Sequence, residues 1–297
     1  MRHYDFAGKP QEIFRSSKDI SDLPHPIDAR SPSDVDLKLR DLPVIAKNIF
    51  QDGQTLAEDA HDRTKEDMLR LHGGRMTEEQ VAYLQSAETK GALKVYSAKE
   101  YKALFPEMDD NVLGHCDALG RICIKNVSKG TVSHISTHET MHLCANRELQ
   151  VNESGGFQSI SGVHDVAVSS DDEVLWDKNR GINEGITEMY TLRELTARGE
   201  SQAAESVNAY SEARIWAERL ENLVGPDAVA DAYFDHGGEK LQEEISRLDP
   251  EHENAWDHFS SNVDKLEYGA TQDEMEEAYQ DLTSQYITML LNSTEAA

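Results

Sequence analysis

Two histidines and a glutamate stand at the spacing of a zinc site. The segment His138-Glu139-Thr140-Met141-His142 has the pattern H-E-x-x-H. On an α-helix, residues four apart share a face, so both imidazoles can reach one zinc ion. Glu139 then lies beside the metal, where it can accept a proton from a water whose pKa the metal lowers to about 7. The pattern predicts a site for one Zn²⁺ per chain, with His138 and His142 as ligands and Glu139 as general base.

A third ligand is expected in the segment Asn183-Glu184-Gly185-Ile186-Thr187-Glu188. Glu184 and Glu188 also share one helical face, and their mutual repulsion is relieved by a cation. We expect Glu184 to bind the metal and leave the fourth position open, as in catalytic zinc sites. Glu188 is predicted to accept the spare ring N–H of a zinc histidine. The alternative for both is a solvated acidic face in an acidic protein.

The two motifs together resemble the gluzincin branch of zinc metallopeptidases, which includes thermolysin. The resemblance covers about residues 110–236 and implies the ligand roles given above. It also implies an α+β fold of the zincin type, mostly helical, with a small β-sheet above the active-site helix. The strand Arg121–Lys125 would form the edge of the cleft and pair with an extended substrate. The chain differs from thermolysin in spacing, since 42 positions separate His142 and Glu184.

Zinc peptidases usually add a donor that stabilises the oxyanion of the tetrahedral intermediate. The candidates here are Tyr190, Tyr210, Tyr233 and His236, and core packing is the alternative for each tyrosine. His134 stands four residues before His138 and is predicted to be a surface residue of the first helical turn. The other zinc pattern, H-E-x-x-H-x-x-G-x-x-H, is excluded because positions 145 and 148 hold alanine and glutamate.

Helices and short strands are predicted around these motifs. Residues 34–73 are typical of helices broken near Asp52-Gly53, and Thr77 with Gln80 and Ser97 with Glu100 predict two capping boxes. Strands are expected over 93–96 and, as a hairpin or adjacent pair, over 111–116 and 121–125. Everything after Thr131 is expected to be helical, apart from a long loop over 147–180 that is rich in Gly, Ser and Asp. The later helices are expected over about 183–198, 205–224, a stretch before Gly237-Gly238, 240–263 with a break at Pro250, and 271–292.

Three regions are predicted along the chain. Residues 1–33 are read as a flexible N-terminal arm, residues 34–90 as a helical accessory region, and residues 91–297 as a zincin-like metallopeptidase domain with a helical C-terminal subdomain. The arm contains four prolines among Ser and Asp and has no sustained hydrophobic period. It is compatible with an export signal, although polar disordered starts are common.

The charge of the chain narrows the classes of partner. The formal net charge is −27, and residues 131–297 carry 10 basic and 34 acidic side chains. This excludes electrostatic nucleic-acid binding as a default and favours a basic protein or peptide substrate. No apolar run approaches the roughly 18 residues of a membrane span. The polar start lacks the apolar core of a signal peptide, and three cysteines are too few for a disulfide framework.

The sequence therefore predicts a zinc-dependent metalloendopeptidase that cleaves a protein substrate. Without a signal peptide, it is expected either in the cytoplasm or exported by a signal-peptide-independent secretion system as a bacterial effector or toxin. Two alternatives stay open at this point. One is a catalytically inactive zincin-like binding module, and the other is a housekeeping or regulatory cytoplasmic peptidase.

Overall fold

A computed structural model describes residues 44–106, 108–117, 119–151, 155–171, 173–269 and 271–295. The predicted arm at residues 1–33 lies outside these ranges, as do residues 34–43 of the first predicted helix. The described chain is a mixed α+β structure, which confirms the fold class at this level. The helices are α1 (Val44–His72), α2 (Glu78–Gln85), α3 (Ala87–Gly91), α4 (Ala98–Leu104), α5 (Lys129–Cys144), α6 (Arg180–Ala197), α7 (Ser201–Ala204), α8 (Ser211–Val224), α9 (Pro226–Phe234), α10 (Gly238–Leu248), α11 (Ala255–Tyr268) and α12 (Gln272–Glu295). None of them has the length and apolar composition needed to cross a membrane.

A small three-stranded sheet precedes α5. It contains β1 (Leu93–Tyr96), β2 (Gly114–Cys116) and β3 (Ile122–Lys125), in the order β1-β3-β2. The first strand matches the prediction exactly in its bounds, and β2 and β3 are the predicted antiparallel pair. The prediction that Arg121–Lys125 forms the sheet edge is wrong. All four residues of β3 are buried, as an apolar central strand requires, and β2 is the edge strand on the other side.

A second sheet replaces the predicted loop over 147–180. Its strands are β4 (Arg147–Val151), β5 (Phe157–Ser161), β6 (His164–Val168) and β7 (Val174–Lys178), each antiparallel to the next. The expectation of helix or loop after Thr131 is therefore wrong here. β-branched residues such as Val166 and Val168 favour strands. Gly162 adopts a φ of +61° in the tight turn between β5 and β6, which an L side chain rarely adopts.

The helix α1 runs without the predicted break at Asp52-Gly53. Gly53 lies in its interior, where an added Cβ would come within 2.8 Å of the Asn126 side chain. The glycine thus allows the helix to approach the sheet closely, and it does not end the helix.

The capping box of Ser97 and Glu100 has both of its hydrogen bonds. At the other predicted box, Thr77 accepts from the backbone of Gln80, whose side chain donates instead to the carbonyls at residues 144 and 145.

The C-terminal helices begin and end close to the predicted positions. Gly199 and Gly225 follow α6 and α8 with φ values of +72° and +90°. The predicted helix over 205–224 is shorter at its start, and the break near Pro250 separates α10 from α11.

The buried apolar core continues from α1 and the first sheet through α5 and α6 to α12. Its largest fully buried side chains include Trp216, Tyr233, Phe234 and Phe259. The boundary between residues 90 and 91 stays a prediction.

Candidate metal centre

The helix α5 brings the H-E-x-x-H motif into the interior. Ser128 caps its first turn by accepting from the backbone N–H of Thr131. The helix is buried on almost all sides, so its polar side chains need partners. Ser136 donates to the carbonyl of Ala57 on α1, and Thr140 lies 2.8 Å from Nδ1 of the buried His61. A helix this polar can be buried because α1 and α6 satisfy its polar groups.

One carboxylate oxygen lies between the two motif histidines. Oε2 of Glu184 on α6 is 3.2 Å from Nε2 of His138 and 3.2 Å from Nε2 of His142. One potential ligand atom from each of these three residues lies within 4.8 Å of the others. Two imidazole nitrogens and one carboxylate oxygen form a donor set that suits zinc and leaves room for a fourth ligand. Within the described part of the chain, this group could hold a metal ion.

A second carboxylate lies behind the first. Oε2 of Glu188 is 3.0 Å from Nδ1 of His138, the ring nitrogen that does not face Glu184. Glu188 is only 2% exposed, and its other oxygen lies 3.1 Å from Nε2 of His134. A carboxylate at Nδ1 favours the tautomer whose Nε2 lone pair is free for a metal. The structure thus places Glu188 against a predicted zinc histidine.

His134 is buried, and its prediction as a surface residue is wrong. Its side chain is 2% exposed, and Nδ1 lies 3.0 Å from the carbonyl oxygen of Ala203 on α7. The histidine faces Glu188 because the two helices run antiparallel, so that each turn of α5 meets a turn of α6. The signal that could have found it is the spacing itself. Residues 134, 138 and 142 repeat every four positions, as do the two glutamates that face them.

Burial and mutual attraction set the charges of this cluster. Burial alone would raise the pKa of Glu184, but His142 and His138 outweigh it and hold that pKa well below its ordinary value. Burial would lower the pKa of His138, yet the hydrogen bonds to Glu184 and Glu188 raise it well above 6.5. The carboxylates are therefore ionised at neutral pH, and the site attracts cations.

Glu139 lies beside the triad of His138, His142 and Glu184, against the edge strand β2. It is 7% exposed, and burial raises the pKa of its carboxyl, partly opposed by His138 and His142. The backbone N–H of Cys116 on β2 donates to it. Gly114 on the same strand allows this approach, because a Cβ there would collide with the Ile135 side chain and come within 3.3 Å of Oε1 of Glu139. A raised pKa suits a group that must accept and release a proton.

The four candidate oxyanion donors lie in different surroundings. Tyr210 stacks on the ring of His138, with 5.5 Å between ring centroids and 15° between ring planes. Its φ of +51° is rare for an aromatic residue. The hydroxyl of Tyr233 lies 2.7 Å from Oγ1 of Thr187, which is 3.4 Å from Nδ1 of His142. Tyr190 instead packs against the rings of His72 and Phe234, and burial raises the pKa of its hydroxyl.

Nδ1 of His236 lies 3.2 Å from the side-chain nitrogen of Asn146, just after α5. Arg180, one helical turn before Glu184, was not predicted to be a site residue. Its guanidinium lies 4.5 Å above the ring of Tyr268, and attraction to that residue and to Glu184 contributes to its raised pKa. Its position four residues before a predicted ligand is the signal that could have found it.

Comparison of the chain with protein-family models, with curated proteins and with solved structures finds no match.

Proposed function

We propose that this protein is a zinc-dependent metalloendopeptidase of the gluzincin type. The observation that carries the proposal is the placement of Oε2 of Glu184 at 3.2 Å from Nε2 of both His138 and His142. Residues 42 positions apart in the chain thus converge on one point, as the resemblance requires. Among the described residues, the group has three candidate ligands and no fourth, which argues against a purely structural zinc that four protein ligands normally enclose.

The donor set fits zinc, and His138, His142 and Glu184 would hold it. Bound there, zinc would polarise a peptide carbonyl and lower the pKa of a water molecule to about 7. Glu139 would take the proton of that water as it attacks the carbonyl carbon, and would then pass the proton to the amine nitrogen as the C–N bond breaks. Burial raises the pKa of its carboxyl, the direction that suits a group that accepts and later releases a proton. Glu188 would orient His138 throughout.

Two further features support a peptide as the substrate. Strand β2 pairs only with β3 among the described residues, so its outer edge is available to an extended chain beside Glu139. Tyr210 is the candidate donor whose ring contacts a triad residue. We assign it to the oxyanion that develops on the carbonyl oxygen during attack. The charge of −27 favours substrates with basic segments near the scissile bond.

The test compares the wild-type protein with Glu139→Gln. Purified protein should contain one zinc per chain and cleave members of a mixed peptide library, with cut sites read by mass spectrometry. Glu139→Gln should keep the zinc and the melting temperature but lose cleavage by at least about a hundredfold, the size of a general-base contribution. Equal cleavage by the variant would refute the role of Glu139. Stoichiometric zinc with no cleavage by the wild-type protein would favour a binding module.

A further inference from the structure

The second sheet joins the two helices of the metal centre. Strand β4 begins three residues after α5 ends, and β7 ends two residues before α6 begins. The turn between β5 and β6 is hydrogen bonded to residues at the end of α5 and the start of α6. The backbone N–H of Gly162 donates to the carbonyl of Asn146, and that of Val163 donates to the side chain of Asn183, the neighbour of Glu184. One end of the sheet therefore has a fixed position relative to the triad.

The other end of this sheet carries an apolar surface. Because directly paired residues share a face, the register forms one apolar row of Val151, Phe157, Val168 and Val174. The next row on the same face consists of Leu149, Ser159, Val166 and Asp177. Leu149 and Val151 are 40% and 47% exposed. The opposite face is more polar and carries Glu148, Gln150, Gln158, Asp165 and Lys178, beside Ile160, Ala167 and Trp176. We call the face with Leu149, Val151, Phe157, Val166 and Val174 the apolar sheet face.

The apolar sheet face continues from the edge strand beside Glu139. Nη2 of Arg147, the first residue of β4, donates to the carbonyl oxygen of Asp117 at 2.7 Å, directly after the end of β2. From Arg147 the strand advances about 3.3 Å per residue, so Val151 lies roughly 13 Å further on. The strand that carries this face therefore starts beside the end of β2.

Charge around the apolar sheet face identifies the kind of chain it would take. Residues 147–178 contain two basic and seven acidic side chains, a net charge of −5. Asp171 and Glu173 in the turn between β6 and β7 are exposed beside the apolar end. Acidic groups around exposed apolar side chains are complementary to a segment in which apolar and basic residues alternate.

We infer that the apolar sheet face is a docking surface for the polypeptide being cleaved. It takes an extended segment with alternating apolar and basic residues, outside the scissile bond and on the side that leaves β2 past Asp117. This inference rests on the proposed peptidase function, because it assigns part of the substrate to a surface of the same site. The docking surface would select substrates by this alternating segment, which is distant from the scissile bond.

Binding without turnover tests the inference. The protein is zinc-loaded Glu139→Gln, and the probe is a fluorescent 14-residue peptide of alternating valine and lysine, measured by anisotropy at low salt. We expect the double substitution Leu149→Ser with Val151→Ser, at exposed positions, to weaken binding about tenfold or more. Leu71→Ser on α1 removes a leucine that is more exposed, at 54%, and should leave binding unchanged. A twin peptide with glutamate in place of lysine should bind at least about tenfold more weakly.

Equal affinity of the double variant and its parent would overturn the inference, as would equal binding of the two peptides or no binding of the basic peptide to the parent. Thermal unfolding of each variant separates a loss of docking from a loss of folding. The proposed function fails by a different result, an absence of cleavage by the wild-type protein, which the binding measurement does not use. Binding of the basic peptide to a protein without peptidase activity would retain a peptide-binding surface but would refute its role in substrate docking.

Discussion

Glu188 lies 3.0 Å from Nδ1 of His138, at the ring nitrogen opposite the one that faces Glu184. Its carboxylate fixes the rotation and the tautomer of the ring, so that Nε2 points at the other two donors. The same carboxylate also contacts His134, which restrains it from the far side. The orientation of the metal centre thus depends on a residue that would not touch the metal.

Removal of this carboxylate should weaken metal binding. We expect Glu188→Gln to lower zinc affinity about tenfold to a hundredfold, the usual effect of losing a carboxylate partner of a ligating histidine. Competition with a chromogenic chelator measures the affinity. Glu194→Gln is the matched control, because Glu194 is another buried carboxylate of α6 but pairs with Arg198 and not with a histidine. An unchanged zinc affinity in Glu188→Gln would remove its assigned role.

Zinc should stabilise the native protein through the triad. At a free zinc concentration a hundred times the dissociation constant, binding adds about 2.7 kcal/mol to the free energy of unfolding. Chelation should therefore lower the melting temperature of the wild-type protein, measured by scanning calorimetry. His142→Ala should show no such difference between zinc and chelator, whereas Glu139→Gln should show the full difference. A full zinc effect in His142→Ala would mean that the metal binds elsewhere.

Substitution of Tyr210 separates catalysis from metal binding. We expect Tyr210→Phe to keep the ring against His138 and to retain zinc, but to lower kcat about a hundredfold with little change in KM, since loss of one oxyanion donor costs about 10² to 10³ in rate. Tyr190→Phe is the control, because Tyr190 lies in the aromatic cluster with His72 and Phe234. If both variants cleave peptides at the wild-type rate, the hydroxyl of Tyr210 does not act on the oxyanion.

The buried His61 should make the protein less stable in acid. Burial, followed by the charge of Lys65, lowers the pKa of His61 to about 4, against 6.5 in the unfolded chain. Between these values the unfolded state binds a proton that the native state does not, so the free energy of unfolding falls as the pH falls from 6.5 to 4. The loss attributable to this residue is about 3 kcal/mol at most.

His61→Gln provides the comparison, with both proteins in excess chelator and urea unfolding measured at several pH values. The wild-type protein should be the more stable at pH 7.5, and its advantage should shrink toward pH 4. A difference that does not change over this range would show that His61 has the same proton affinity in both states.

The amino-acid sequence was informative where side chains interact within one helix. The spacing of His138, Glu139 and His142 predicted three neighbours of one site, and i to i+4 spacing predicted that Glu184 and Glu188 share a face. The contact between the two helices depends instead on long-range packing. The stacking of Tyr210 could not be predicted from local spacing, because it requires the position of another helix.

The second sheet was missed for a related reason. Glycines and acidic residues near Gly155, Gly162 and Asp171 favour turns, and these turns are present, but short strands lie between them. The central position of β3 was also missed, although its continuous apolar sequence favours a strand buried on both faces. A strand order is set by pairing across the sheet, which a single strand does not encode.

Among the described residues, the second sheet is hydrogen bonded to α6 and the residue before it at the end nearest Glu184, where Val163 contacts Asn183 and Asn179. Gly155 and Asp171 lie toward the opposite end of its strands. Insertions and deletions there would change the reach and composition of the sheet while the ligand geometry stays the same. Under the proposed function, a change in the length of these two turns would alter the substrate preference while the three proposed ligands keep their positions.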